Sequence, residues 1–563
     1  LARLYAFRLA SFTFLLPSAL LGQTVATPTV SAEQRRAHEP QPRSVVAQAS
    51  VPLEQRLWAL DPRVQPGAAE EDLLRIGIHG EYQVRYGSAP NFRLDTYGLD
   101  NYRPKLGQTH RLVHYLRFSP FISYRTWLTL RTQFDLPRGM LLGQATSRVQ
   151  SDPEPMDEQQ PMQFAPRWFY ADIALSHGHL RIGQQPAQWS LGLVDDSGDN
   201  RQFFADPRFG TIVDRVAYVG QPLGKTVPWE LLVASDFVYS DGRVSATDGD
   251  RSIRAALGNS YVASVDNRVG LLVLAQRTRP DFDDRALSRL APKETTVTFD
   301  VGGQLAHPVP GIAAKVFLSG EVAYVMGRTD LAPEVIDPTG VRVSRFGAVA
   351  RATLIQVAKT TGEGATSLSP TSGPLGMALE WGYASGDAQP GDGVDRRFVM
   401  NPARRVGLLM FDEVLRWKSA RAAVALDDPR IGQRSNGASW ALPTAGGVSS
   451  ATYLNLQLLY RPMQNLDFRA AALLAQASSD FVDPAQVAIR GRYENFDGGT
   501  STHRDLGAEL DAAVEYRQPL ENGLCASFGA EGATLFPGKA FADADGRGLG
   551  TQYLLRGRFG FYF

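Results

Sequence analysis

The chain has 563 residues, and its 58 Lys plus Arg balance 58 Asp plus Glu, so the formal net charge is zero. That balance lacks the basic excess of a nucleic-acid binder and the acidic excess of a solvating tail. Hydrophobic residues make up 44% and mean hydropathy is −0.20, too polar for a bundle of apolar membrane helices but compatible with strands that are apolar on one side only.

Arg3 and Arg8 precede an apolar run from Leu9 to Leu21 that is broken by Ser11, Thr13, Pro17 and Ser18, with small residues around Gly22 and Ala26. This charged, apolar, small-residue order predicts a secretory signal peptide over 1–22, with cleavage near Gly22 or Ala26. Residues 23–73 are rich in Pro, Ala, Gln, Glu and Arg and show little periodicity. They read as an irregular periplasmic leader, with a short helical turn near Glu70 to Leu73.

From Leu74 onward a period of two recurs, which predicts strands. In 74–87, Ile76, Ile78, Tyr82, Val84 and Tyr86 share one face, and Arg75, His79, Glu81, Gln83 and Arg85 share the other. Strands are then expected at 111–119, 127–135, 167–175, 179–183, 213–220, 229–237, 260–266 and 270–277. The second half adds 294–305, 314–324, 345–357, 375–386, 451–461, 466–476, 504–517, 524–534 and 552–563. The total is about eighteen, with 406–417 ambiguous by one or two. No sustained helical period interrupts the series. Residues 140–166 and 185–211 read as long loops, and long loops alternate with short turns.

The last strand is the most telling. Tyr553, Leu555, Phe559, Phe561 and Phe563 point one way, and Arg556, Arg558 and Tyr562 point the other. An open sheet edge ending in bare aromatics invites aggregation, whereas a closed barrel turns the apolar side to lipid and the arginines to a wet lumen. The expected fold is therefore all-β: a transmembrane, antiparallel, up-and-down barrel over 74–563, with an aqueous lumen. Its setting would be the outer membrane of a Gram-negative bacterium. Its partners would be the lipid bilayer and the barrel-assembly machinery, reached through the C-terminal strand ending in Phe563.

Four short motifs bear on family. Gly382-Tyr383-Ala384-Ser385-Gly386-Asp387, followed by Pro390-Gly391-Asp392-Gly393, resembles the strand end and loop of the bacterial alginate-export family of outer-membrane barrels. Leu506-Gly507-Ala508-Glu509-Leu510-Asp511, Leu180-Arg181-Ile182-Gly183-Gln184-Gln185 and Phe536-Pro537-Gly538 are similar to it as well. The resemblance implies a barrel of about eighteen strands whose arginine-rich constriction passes anionic polysaccharide. Here the matching inward residues are mixed: Arg131 and Arg181, but also Glu380, Glu509, Asp511 and Glu515.

The candidate pore-lining residues are Arg75, Arg85, Arg111, Arg117, Arg131, Arg181, Arg351, Arg556 and Arg558, together with those four acids. A ring of like charge in a narrow water-filled lumen sets ion selectivity. Alternatively, the arginines pair across strands with Glu81, Glu321, Glu380, Glu509, Asp511 and Glu515 and stiffen the wall. Asp195, Asp196 and Asp199, and likewise Asp387, Asp392 and Asp395, lie in Gly-rich acidic loops whose oxygens could hold Ca²⁺, without the spacing of a helix-flanked calcium loop. The 185–211 loop could instead fold into the barrel, because Trp189, Phe203, Phe204 and Phe209 need cover from water.

An enzyme would need a positioned histidine. His79, His114, His177, His179, His307 and His503 are scattered, with neither a nucleophile elbow nor zinc spacing. The single cysteine, Cys525, leaves no intramolecular disulfide and no Cys-rich metal site. The sequence thus predicts a non-enzymatic, cofactor-free, porin-like channel for passive diffusion of small polar or anionic solutes. A polysaccharide export pore and a plugged barrel with an adhesive or scaffolding role are the alternatives. Monomer and trimer both remain open.

Overall fold

The structure, a computed structural model, describes residues 73–90, 110–143, 163–199, 204, 209–224, 227–264, 266–281, 292–332, 340–357, 372–427, 438–463, 465–521 and 524–563. The expected signal peptide, and the leader up to residue 72, lie outside the described residues, as does Phe203.

Nineteen strands are present among the described residues, and one of them, β14 (Val394–Asp395), is a two-residue parallel addition to a neighbour. The other eighteen are long. They are β1 (Leu74–Ser88), β2 (His110–Tyr124), β3 (Leu128–Leu142), β4 (Gln163–Leu175), β5 (Gly178–Pro186), β6 (Ile212–Gly220), β7 (Trp229–Ser240), β8 (Arg251–Ser264) and β9 (Asn267–Arg279). The series continues with β10 (Glu294–Pro308), β11 (Ala314–Thr329), β12 (Val341–Val357), β13 (Ser372–Ala384), β15 (Ala451–Met463), β16 (Leu466–Ala477), β17 (Asp505–Pro519), β18 (Cys525–Pro537) and β19 (Gln552–Tyr562). Each long strand is antiparallel to the next, and β13 pairs directly with β15.

The sheet closes through β1 and β19, in register from Glu81↔Tyr562 to Ser88↔Leu555. Gly80 and Phe563 extend the seam by exchanging backbone hydrogen bonds of 2.9 and 3.0 Å. Glycine is required at position 80, because a Cβ there would collide with the Phe563 ring and the Arg117 carbonyl. The Phe563 ring then meets Phe118 edge-on at 5.7 Å. Closure removes both sheet edges, and the terminal aromatic strand becomes an ordinary stave.

The outward face is apolar over its middle, where Val233, Leu257, Leu271, Val301, Leu318, Val322, Leu379 and Leu456 are exposed. Aromatics collect towards both ends: Trp229 with Tyr261 near the short turns, and Phe346 with Tyr383 near the long loops. This is the exterior of a barrel that sits in lipid. Among the described residues no helix is long and apolar enough to cross a membrane.

Three expectations need correction. The 140–166 loop is shorter than expected, since β3 runs to Leu142 and β4 starts at Gln163. Pro137 and Pro166 masked this, because the register shifts near both and the alternation breaks. The ambiguous 406–417 stretch is not a strand: it holds a π-helical segment (Met410–Leu415) that runs into α1 (Arg416–Asp427). A second helix, α2 (Pro484–Arg490), lies between β16 and β17. Finally, the lumen is not aqueous throughout. A hydrophobic cluster fills part of it, joining the 385–450 connection to wall residues Tyr453, Ala471, Leu473, Ala475 and Leu535.

Candidate functional site: a loop-filled, charge-lined lumen

The described parts of four connections at the long-loop end fold inward. In the first, 187–211, Trp189 packs on inward residues Ala217, Leu232, Ala234, Ala256, Leu272 and Leu274 of β6–β9. Small side chains on that arc of wall leave room for an indole. Trp189, Phe204 and Phe209 are all buried, so these aromatics find their cover inside the barrel. The second connection, 385–450, carries α1. Its Asn401 donates to Val194 O and Thr211 Oγ1, both at 2.8 Å, and its backbone N–H donates to Leu193 O. These bonds zip the first two connections together. The third, 478–504, places α2 on α1 through Ala422, Leu426, Leu442 and Ala485. The fourth, 538–551, sets Phe541 against Phe481, 6.0 Å between ring centroids.

Wall carboxylates hold the first two inserts. Glu509 on β17 accepts three successive backbone N–H groups, from Leu408 at 2.5 Å, Leu409 at 2.8 Å and Met410 at 2.6 Å. Three amides converging where the helical segment begins form a nest for an anion. Glu321 on β11 does the same for the first insert, accepting Leu193 N–H at 3.0 Å. Each of these acids lies beside a second buried carboxyl, Asp511 and Asp300 respectively.

Arginines supply the second tether. Glu413 is caged by Arg556 from β19 at 2.7 Å, Arg111 from β2 at 2.9 Å and Arg416 from α1 at 2.8 Å. Burial pushes the Glu413 carboxyl up, but Arg416, Arg111 and Arg556 outweigh it and hold it below its ordinary range. Arg404 binds Glu380 at 2.8 Å, and Arg351 of the wall reaches the same carboxylate at 2.7 Å. Arg254 bridges Asp236 of the wall at 2.8 Å and Asp195 of the first insert at 2.7 Å, and Arg215 makes two bonds to Asp236. Arg167 holds Asp199 at 2.9 Å and the carbonyls of Ser197 and Phe209. Arg345 ties Glu294 to Asp395, both at 2.7 Å.

The expected pore-lining residues divide accordingly. Arg117, Arg181 and Arg351 pair across strands with Asp135, Asp172 and Glu380 at 2.7 Å each. Arg558 joins Glu515 at 3.0 Å, within a network that also holds Arg469, Arg517 and Asp467. Arg111 and Arg556 serve the insert, as do Glu380 and Glu509. Arg85 sits on the seam opposite Arg558. Arg75 is exposed near the short turns, its guanidinium 5.8 Å from the Phe121 ring centre. Arg131, on the inward face opposite Phe121, makes no ion pair among the described residues and is partly exposed. The lumen is therefore wet towards the short turns, around Arg75, His79 and Arg131, and packed towards the long loops.

The acidic loops do not gather into a cation site. Asp195, Asp199 and Asp395 are spent on Arg254, Arg167 and Arg345. Asp196 accepts Gly198 N–H, Asp387 accepts the N–H groups of Gln389 and Arg396, and Asp392 pairs with Arg396. Among the described residues no three His, Cys, Asp or Glu side chains are grouped to hold a metal.

Sequence reasoning missed the insert's own charges, Arg404, Asp412, Glu413 and Arg416. The signal was available: Arg416–Asp427 has four alanines and neither Gly nor Pro, a composition that favours a helix.

Two predictions follow from these contacts. Glu413→Ala leaves three buried arginines without their shared anion, so docking of the insert should weaken by about 3–5 kcal/mol; trypsin should then cut after Arg416 in barrels that still migrate as folded. Separately, burial pushes Asp483, which caps α2 by accepting Ala485 N–H at 2.9 Å, up to about 7. Its folded form thus holds a proton that the ordinary value of 3.8 would release, and docking should weaken as pH rises from 3.8 to about 7. Burial likewise lifts Asp196 to about 6, so Asp483→Asn should flatten the upper part of that decline. Protease resistance of the α1–α2 region, measured across this range, checks both the sign and the residue.

No family model matches the chain, and no curated protein matches it. Among solved structures it is similar to Acinetobacter baumannii OccAB1, at 9% identity over 89% of this chain and 99% of that one, with a TM-score of 0.48. It is also similar to Pseudomonas aeruginosa OccD3 (OpdP), at 10% identity over 88% and 92% with a TM-score of 0.47. A third, Pseudomonas aeruginosa OccK5 (OpdH), matches at 11% identity over 87% and 97% with a TM-score of 0.44. These identities are too low to carry residue roles to this chain.

Proposed function

We propose that the chain is an outer-membrane channel, its bore set by connections folded into the lumen, that passes small polar or anionic solutes by passive diffusion. The observation that carries this reading is the pairing of a closed, apolar-faced barrel with a lumen that is wet at one end and narrowed by tethered inserts at the other. The cations at the wet end, exposed Arg75 and partly exposed Arg131, favour anions at the mouth. The wall beyond is charge-paired, which favours modest selectivity.

Export of an anionic polysaccharide fits less well. A polymer needs a continuous bore, and Leu408, Leu409, Met410 and Phe411 are 0% exposed in the packed half. The arginines that would grip a polyanion there are already bound to carboxylates. The same burial favours a second reading, a plugged barrel with an adhesive or scaffolding role.

Planar-bilayer recordings separate these readings. Refolded protein should give small ohmic steps with weak anion preference, and Arg131→Glu should move the reversal potential towards cations. Uronic-acid oligomers should not block. Folded protein that never conducts would favour the plugged barrel, and block by the oligomers would favour the exporter.

A further inference from the structure

The two wall acids that hold the inserts are each doubled. Glu321 accepts Leu193 N–H through Oε1, and its side chain lies within hydrogen-bond reach of the Asp300 carboxyl. Glu509 accepts its three amides through both oxygens and lies within the same reach of Asp511. The sheet builds both pairs. Asp511 is two residues along β17 from Glu509, so both side chains point inward. Asp300 is two residues along β10 from Gly302, which stands directly opposite Glu321 on β11. All four acids are buried, with Asp300 and Glu509 at 0% exposure.

A carboxylate accepts hydrogen bonds and has none to give. Two bare carboxylates in contact therefore repel, and away from water the cost rises further. The contact becomes favourable when one acid keeps its proton and donates it to the other. The second acid of each pair has the greater need. Among the described residues, neither oxygen of Asp300 nor of Asp511 meets an N–H or hydroxyl donor.

The surroundings do not offset a second charge. The first pair faces Arg404, already bound to Glu380, and a further acid, Asp195, bound to Arg254. The second pair faces Arg556, already bound to Glu413, and a further acid, Glu531. On the insert beside it, Asp412 lies 3.7 Å from Arg405. The flanking strands are uncharged at these levels. They present Leu272 and Val349 to the first pair, and Ala471, Leu473, Ala533 and Leu535 to the second.

We propose that each pair is a proton-operated latch: one shared proton lets the wall acid hold its insert, and loss of that proton to water releases the insert. With the proton in place, each pair carries a single negative charge, which the insert's amides match. Without it, two adjacent anions share amides enough for one. Undocking hydrates both, so the undocked state binds one proton fewer at each latch. Docking is therefore strongest while the proton is held and weakens as pH rises, by up to about tenfold per pH unit at each latch. The latch rests on the docked inserts and not on conduction.

The test is amide exchange of the refolded full chain. It runs from about pH 8, above the range in which Asp483 and Asp196 release their protons, to about pH 9.5. Each rate is divided by that of a free amide at the same pH. Protection of Leu193 and of Leu408, Leu409 and Met410 should fall about tenfold per pH unit, while that of β16 and β17 stays level. Asp300→Asn places a permanent N–H donor beside Glu321 and should flatten the decline at Leu193. Asp511→Asn should flatten it at Leu408, Leu409 and Met410. Asp545→Asn, at an exposed loop carboxyl, should flatten neither. Infrared spectra of the wild type need no variant: the C=O stretch of protonated carboxyls should be present at about pH 8 and fade over the same range. Level protection in the wild type, declines that the Asn variants leave unchanged, or no such band at the start of the range would each overturn the proposal. Protection that follows sodium concentration at fixed pH would overturn it in favour of a bound metal cation. Bilayer conductance of the same preparations reports separately on the channel reading.

Discussion

The arrangement of the lumen depends on a carboxylate that accepts backbone amides. Glu509 projects from the wall and takes the N–H groups of three consecutive residues, where Met410–Leu415 begins its helical turn. Those amides have no earlier carbonyl to bind, and burying them unpaired would be costly. The wall acid meets that need and also fixes where the insert enters. Glu321 repeats the device with Leu193. These two inserts are thus held by main-chain contacts, which explains how apolar residues such as Leu193 and Leu408 can be packed inside a barrel otherwise lined with charge.

The arginine networks are the complement of this arrangement. A barrel wall must direct its charges inward, because a charge on the lipid face would cost roughly 2–4 kcal/mol at the midplane. Here the inward charges do two jobs. Pairs such as Arg117–Asp135 and Arg181–Asp172 cross between adjacent strands and stiffen the wall. Others, such as Arg254 between Asp236 and Asp195, bind wall to insert. Of the two roles weighed for the arginines, a selectivity ring and pairing across the wall, these contacts are of the second kind, and the ties between wall and insert add one that was not foreseen. Arg131 is outside both networks, and it faces the wet end.

Much of the barrel was legible in the sequence because a half-buried strand writes its period directly into the chain. Each of the eighteen long strands overlaps an expected alternating stretch, although β8 starts at Arg251 rather than at 260, and the inward and outward faces of the last strand are as read. Strand ends were less legible where proline broke the pattern, at Pro137 and Pro166. The inward fold of the 187–211 connection was visible in its unsheltered aromatics. The 385–450 insert was not, because its contacts are between residues far apart in sequence: Glu509 and Leu408 are 101 positions apart, and Arg556 and Glu413 are 143 apart. No local pattern encodes such pairs. The acidic loops show the same limit, since each loop aspartate finds a distant arginine or a nearby amide.

The central claim is that the wall holds these inserts inside the barrel. Amide hydrogen exchange across the 406–417 stretch of the refolded protein tests it most directly. If Glu509 holds the insert as described, the amides of Leu408, Leu409 and Met410 will exchange as slowly as those of neighbouring β16 and β17. Exchange at the rate of a free surface loop, in a barrel whose strands remain protected, would contradict the account.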